Sequence, residues 1–332
     1  MTTAAQRAAD PFWFPWRFDE AADGFRLRHL TRQDHARATF LTEEYLGTGP
    51  VEFVPRTRLP AVPQAPIHFI FHSAFCLSSV LVRAFDLPGA AMGLKEPMVL
   101  NDLAGWHLRG ATGPQLAQAM ESSLTLLARP FRSGETIVVK PSNIANALIA
   151  GMLQLRPQAR ALLLHAPLRV YLGSIARKGL DGRLWVRDLV VKQLNQGLHE
   201  FGFGPQDYLT QTDLQVAAMG WLAQQRLFGV IAERLGDRVR TLDSDAITAR
   251  PVEVMAALGA LFRVRLDAPE VAAGPAFTRH SKHGTAFDAA ARERERAAEA
   301  AHADEIEKVA IWAETVAQAQ GIPLALPNPL IR

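Results

Sequence analysis

The stretch Ile67 to Phe85, IHFIFHSAFCLSSVLVRAF, places a small, hydroxyl-rich run, HSAFCLSS, between an apolar segment and a helical one. Ile67 to Phe71, apolar apart from His68, suits a strand buried on both faces of a parallel sheet. Val80 to Phe85 carries Leu81, Ala84 and Phe85 on one side, so Ser73 to Ser79 reads as a strand-to-helix turn. Its last hydroxyls, Ser78 and Ser79, then stand at a helix N-terminus, where the first backbone N–H groups have no intrahelical partner and the aligned peptide dipoles favour an anion. Phosphate is the natural guest. The plainer alternative is that Ser78 or Ser79 only caps its helix, since the Gly-rich, Lys-containing Walker pattern is absent. Cys76 lies in the same turn, where a lowered thiol pKa is expected if no anion is bound. A nucleophilic cysteine is therefore a rival, without a recognisable His and Asn framework to support it.

Strands and helices alternate downstream of this turn. A proline-rich connector, LPAVPQAP, separates it from an N-terminal arm over 1–60 with a small helical piece around Thr31 to Tyr45. A short strand ends near Leu94, and Gly113 to Ala128 has helical spacing of Leu116, Met120, Leu124 and Leu127. Ile137 to Val139 is a strand followed by a helix from Asn143. Arg160 to His165 is a further apolar run leading into a helix through Tyr171 and Ile175. Leu214 to Leu235 reads as one amphipathic helix, RVRTLDSD as another strand, and Arg292 to Gln320 as a closing helix. Such alternation implies a parallel sheet wound by right-handed crossovers, with functional residues where the strands' carboxyl ends open into loops. The expected domain covers 61–290, with 291–332 packed on it as a C-terminal helix and tail.

Composition bounds the function. The 332 residues are 48% hydrophobic, which is enough for an ordinary globular core. A net charge of +3, from 36 Lys and Arg against 33 Asp and Glu, suits a small anionic ligand better than a nucleic-acid track. The single cysteine excludes an intramolecular disulfide and a multi-Cys zinc site, so a reducing compartment, the cytoplasm, is expected. The N-terminus lacks a secretory pattern, and no segment has the length and apolarity of a membrane span. The aromatics Phe12, Trp13, Phe14 and Trp16, interrupted by prolines, are expected to pack as an arm rather than to form a membrane or partner patch.

Taken in order, these segments resemble the sulfotransferases that use 3'-phosphoadenosine 5'-phosphosulfate (PAPS), in particular divergent bacterial members. The resemblance spans roughly 67–290 and rests on the order and spacing of loops. It implies a three-layer α/β fold of the P-loop nucleotide-binding type, with a central, mostly parallel sheet and a helical C-terminal part. Ser73 to Ser79, with Cys76 inside it, corresponds to the phosphate loop, and Ser78 and Ser79 to the paired hydroxyls that hold the 5'-phosphate. LKEPMVLND places Glu96 where several branches carry a base, and VVKPSN supplies the strand-end Lys140. HAPLRVYLGSIARKG resembles the 3'-phosphate segment, with Arg169 and Ser174 as ligands. RHSKHG, with Arg279, Ser281 and Lys282, resembles the basic loop that closes over the nucleotide.

Sulfuryl transfer needs an in-line approach, stabilisation of the bridging oxygen that gains charge, and a group to take the acceptor's proton. No metal is expected, because no metal-ligand pattern is present. Glu96, held in an extended backbone by the following Pro97, would accept the proton; the alternative is a structural ion pair with Lys95 or Lys140. Lys140 would neutralise the bridging oxygen, or else be a surface lysine. Ser142 stands where cytosolic members carry a catalytic histidine and is a poor base. His72 is the alternative catalytic group, or a core histidine bonded to backbone. Trp106, Trp221 and Phe203 would line an acceptor pocket or fill the core.

The expected activity is transfer of a sulfuryl group from PAPS to a hydroxyl or amine of a small molecule or glycan, leaving 3',5'-adenosine bisphosphate. The alternatives are a catalytically silent nucleotide- or partner-binding protein of the same fold, or a P-loop kinase. No nucleic-acid partner is expected; a homo-oligomer is left open.

Overall fold

A computed structural model describes residues 3–278 and 302–332. Arg279, Ser281 and Lys282, and the first part of the helix expected from Arg292, lie outside the described residues. The described residues of that stretch form the helix Ala303–Ala319, which opens after His302.

The expected α/β architecture is present. Five strands, β4 (Ile67–His72), β5 (Ala91–Lys95), β6 (Thr136–Lys140), β7 (Ala161–His165) and β8 (Val239–Asp243), form a parallel sheet in the order β5-β6-β4-β7-β8. Every residue of β4, β5, β6 and β7 is buried. Both faces are covered, which is why these strands read as continuous apolar runs. The strand order reverses at β4, and in open parallel sheets ligands bind outside the carboxyl end at such a reversal.

The chain divides into two compact units. The first comprises Met1–Phe71, Ser79–Ala161 and Met255–Phe277. In it β5 pairs β6 from Ala91↔Thr136 to Lys95↔Lys140, and β4 pairs β6 from Ile67↔Ile137 to Phe69↔Val139. Gly93 lets the helix Ser78–Ala84 approach β5 closely: a Cβ there would lie 2.0 Å from the Val82 carbonyl oxygen.

The N-terminal segment, expected to be an arm with a small helical piece, also holds a three-stranded antiparallel sheet of β1 (Trp13–Asp19), β2 (Gly24–His29) and β3 (Val51–Pro55). The helical piece is two short helices, Arg32–Arg37 and Glu43–Leu46. Arg129, 4% exposed, ties this segment down by donating to the carbonyls of Ala8, Asp10 and Trp13 at 2.7–2.8 Å and to that of Leu126.

The second unit comprises His72–Ser78, Leu162–Val254 and Thr278–Arg332. Its centre is the helix Asp213–Leu235, opened by a Thr212/Gln215 capping box. Sequence spacing suggests an amphipathic helix here, but Val216 to Gln225 are buried without interruption. The helices Leu168–Arg177, Gly179–Asn195 and Ala303–Ala319 pack around it and cover more than one face. Over that stretch the helix has no solvent side to keep polar, whereas Val230, Glu233 and Arg234 in its last turns are exposed.

Candidate functional site

The turn after β4 is fastened at its base. The Ser73 N–H donates to the Leu164 carbonyl at 3.0 Å, and the Ser73 hydroxyl accepts from the Ala166 N–H at 3.2 Å. Gln224 donates to the Ser73 carbonyl at 3.4 Å. His72 is buried and its Nδ1 accepts from the Ala74 N–H at 3.0 Å, the backbone-bonded arrangement weighed as one of its two readings. Ala74, Phe75 and Leu77 have φ of +75°, +52° and +59°. Left-handed backbone in side chains other than glycine costs about 1–3 kcal/mol per residue and clusters where function demands a shape. Runs of this kind also form backbone concavities that bind anions.

The helix begins at Ser78, so Ser78 and Ser79 form its first turn and the residue before it is Leu77. Cys76 is buried. The Phe75 ring meets Tyr171 and Trp185 edge-on, with centroids at 5.7 and 5.3 Å, and Lys178 Nζ lies 5.8 Å from its centroid. Tyr171 is fully buried, and its hydroxyl finds no hydrogen-bond partner among the described residues. Burial, with a smaller contribution from Cys76, pushes this phenol far above its ordinary value. Nothing in its spacing distinguishes it from a core tyrosine, and sequence reasoning did not single it out.

The 3'-phosphate candidates sit on the helix Leu168–Arg177 in the same unit. Ser174 is buried in mid-helix, and Arg177 Nη2 donates to its hydroxyl at 3.4 Å. Arg169 is engaged elsewhere: its guanidinium forks onto Glu307 through two bonds of 2.7 Å and reaches Glu314 at 2.6 Å. Those carboxylates, Glu307 first, raise its pKa further above the ordinary arginine range.

In the first unit the structure brings Glu96 and Lys140 together. Lys140 closes β6 with its side chain 1% exposed, and its ammonium donates to the Glu96 carboxylate, which is 18% exposed. Lys140 is therefore a buried lysine, not a surface one. The Phe40 ring lies under the ammonium at 5.1 Å from its centroid. Glu96 is not extended: its φ is +52°. Its N–H donates to the Lys140 carbonyl at 2.7 Å, which carries the β5–β6 pairing one residue past β5 before the chain turns into the helix Met98–Leu108. This tertiary bond outweighs the bias that Pro97 imposes on the residue before it.

Lys95, the other ion-pair partner considered, donates to the carbonyls of His35 and Ala36. Asn143, three residues beyond Lys140, is buried, and its Nδ2 has no partner among the described residues. Sequence reasoning passed over it as the start of a helix.

The proposed acceptor aromatics have structural partners. Trp106 lies 5.3 Å from Phe18, Trp221 Nε1 donates to the Ala166 carbonyl at 2.9 Å, and Phe203 meets Tyr208 and Trp312. Among the described residues no group of three or more His, Cys, Asp or Glu side chains could hold a metal ion. No helix among them is long and apolar enough to cross a membrane.

No family model matches the chain, and no curated protein matches it. Solved structures to which it is similar include a sulfotransferase domain from the curacin biosynthetic pathway. That likeness has 12% identity and a TM-score of 0.40, over 68% of this chain and 82% of the other. A sulfotransferase domain from the Synechococcus PCC 7002 olefin synthase is similar at 12% identity and a TM-score of 0.39, over 69% and 84%. Likenesses at this level assign no activity.

Proposed function

We propose that this chain transfers a sulfuryl group from PAPS to a hydroxyl or amine of a small molecule or glycan. The observation that carries the reading is the Lys140–Glu96 pair, a lysine buried at the end of one parallel strand against a carboxylate just past the end of the next. PAPS supplies an activated sulfuryl group on a phosphate leaving group. Lys140 is suited to neutralise charge that grows on a bridging oxygen. Glu96 is suited to accept the acceptor's proton, a contribution worth about 10²–10⁴ in rate. While each neutralises the other, neither is spent on solvent; engaging Lys140 with an anion would free the carboxylate to act as base.

The residues of the turn fit a phosphate. Ser78 and Ser79 offer hydroxyls in the first helical turn, and Ala74, Phe75 and Leu77 give the backbone a concave, left-handed course. The Tyr171 hydroxyl, which has no hydrogen-bond partner among the described residues, is a buried donor of the kind that a ligand satisfies. Ser174, with Arg177 beside it, is the stronger candidate for the 3'-phosphate. Arg169 would have to leave two carboxylates to join them. His72 orients the turn through its bond to Ala74.

Calorimetric titration with 3',5'-adenosine bisphosphate, with 5'-AMP and ATP–Mg as controls, tests the donor assignment. Micromolar binding lost without the 3'-phosphate is expected; preference for ATP–Mg would turn the reading to a kinase. With donor binding established, Glu96→Ala should keep nucleotide affinity and lose turnover in an acceptor screen. Binding without turnover in the wild-type chain would mark a silent nucleotide binder.

A further inference from the structure

A cavity of about 520 Å³ lies within the first unit, lined among others by Arg83, Asp86, Gly93, Lys95, Arg265 and Glu270. That volume suits a small organic molecule, and none of the residues assigned above to sulfuryl transfer lines it. Lys95, the last residue of β5, is 3% exposed. Its Nζ donates to the carbonyls of His35 and Ala36, the latter at 3.1 Å.

A neutral amine has two N–H bonds and one lone pair, so two carbonyls satisfy it completely and leave the lone pair available. An ammonium would carry a third N–H, for which the described residues make no third hydrogen bond, the nearby Asp86 carboxylate being engaged by Arg32. Burial, with the nearby Arg83 acting in the same direction and Asp86 against it, brings Lys95 down to about 8. A lysine desolvated beside another cation is a recognised form of activated nucleophile.

We propose that Lys95 is a reactive amine that takes a small aldehyde or oxo acid, bearing one anionic group, as a reversible imine in this cavity. The Nζ lone pair attacks the carbonyl carbon, forming the C–N bond while the C=O π pair moves to oxygen. The amine then gives up both protons, the oxygen leaves as water, and C=N remains. No oxidant or reductant is consumed. Arg265, exposed at the cavity with no ion-pair partner among the described residues, is placed to hold the ligand's carboxylate or phosphate. Asp86 is restrained by Arg32 at 3.1 Å.

The charged groups around Lys95 are Arg83 and Asp86 from the helix Ser78–Ala84 and its end, and Arg265, Asp267 and Glu270 from the later segment. His35 lies on the side of its carbonyl partners and is neutral near pH 7.

The test is reductive trapping on the full chain, with glyoxylate and cyanoborohydride at pH 7 followed by peptide mapping. Lys95 is expected to be labelled on the order of tenfold or more faster than the exposed Lys308, because burial favours the neutral form of Lys95. Its rate should saturate with glyoxylate concentration and fall as pH drops from 8 to 6. Arg265→Gln should raise the half-saturating concentration without changing the pattern of the other labelled lysines. Labelling of Lys308 and other exposed lysines ahead of Lys95, or a Lys95 rate that never saturates, would overturn the proposal. The wild-type map decides it even if Lys95→Arg fails to fold.

Discussion

Lys140 and Glu96, separated by 44 positions in sequence, form an ion pair in which the lysine side chain is 1% exposed and the carboxylate 18%. Because the burial is unequal, the two ends are not equivalent. Glu96→Ala leaves an ammonium buried and uncompensated, which should destabilise by about 3–5 kcal/mol. Lys140→Met removes the buried charge itself and leaves a carboxylate that water can reach, so it should cost less. Urea unfolding of the two variants checks the order, and a larger loss for Lys140→Met would show that packing around the lysine stem outweighs the charge.

His35 gives stability a defined pH dependence. Burial, with Lys95 acting in the same direction, lowers it from 6.5 to about 3, so the folded chain keeps it neutral. Between those values the unfolded chain binds a proton that the folded one refuses. Stability therefore falls as pH drops below 6.5, by at most about 1.4 kcal/mol per pH unit for one such group, and levels off below about 3. His68 and His199, each lowered to about 4 chiefly by burial, add to the loss in the same direction. Neither His35 ring nitrogen has a hydrogen-bond partner among the described residues, and Phe14 and Phe131 pack against the ring. His35→Phe should hold or raise the urea midpoint at pH 7 and flatten the slope between pH 6 and 4.

Ala74 offers a test of strain in the turn. At φ +75° its Cβ opposes the conformation by about 1–2 kcal/mol, while glycine there loses roughly 0.5–1 kcal/mol in chain entropy. Ala74→Gly is therefore expected to be neutral or stabilising by up to about 1 kcal/mol. If the left-handed course serves an anion, the variant should also keep its affinity for 3',5'-adenosine bisphosphate. Ala74→Val should lower both stability and affinity.

Arg129 is expected to hold the N-terminal residues in place. Its guanidinium, lowered to about 10 by burial yet charged at pH 7, serves four backbone carbonyls. Arg129→Lys cannot reproduce a planar fork that donates to four carbonyls, and Arg129→Met leaves all four without it. Losses on the order of 3–5 kcal/mol are expected for methionine and somewhat less for lysine. Limited proteolysis should cut the variants within residues 4–30 earlier than the wild type. Unchanged cleavage would mean that β1–β2 pairing alone holds the segment.

Much of the core was legible because burial on both faces writes itself into sequence. IHFIFH, TIVVK and ALLLH are short apolar runs bounded by turns, and each is a strand of the parallel sheet. The serine-rich turn could be located for the same reason: it had to lie where the first such run ended and helical spacing began. The N-terminal sheet was missed although Asp23–Gly24, between two aromatic and alternating stretches, is a hairpin signal. Pro15 and the crowded aromatics drew attention to an arm instead.

By itself the sequence determined which segments must be buried and which loops could carry charge or hydroxyls, because those depend on residue type and near-neighbour spacing. Tertiary structure alone decided the strand order, the left-handed turn at Glu96 against the preference set by Pro97, and the carboxylates that claim Arg169. It also decided that Lys140 meets Glu96 while Lys95 faces two carbonyls and a cavity. These outcomes are contacts between positions far apart in the chain. Their energies are set by what surrounds each charge once water has been removed, and no local pattern encodes that.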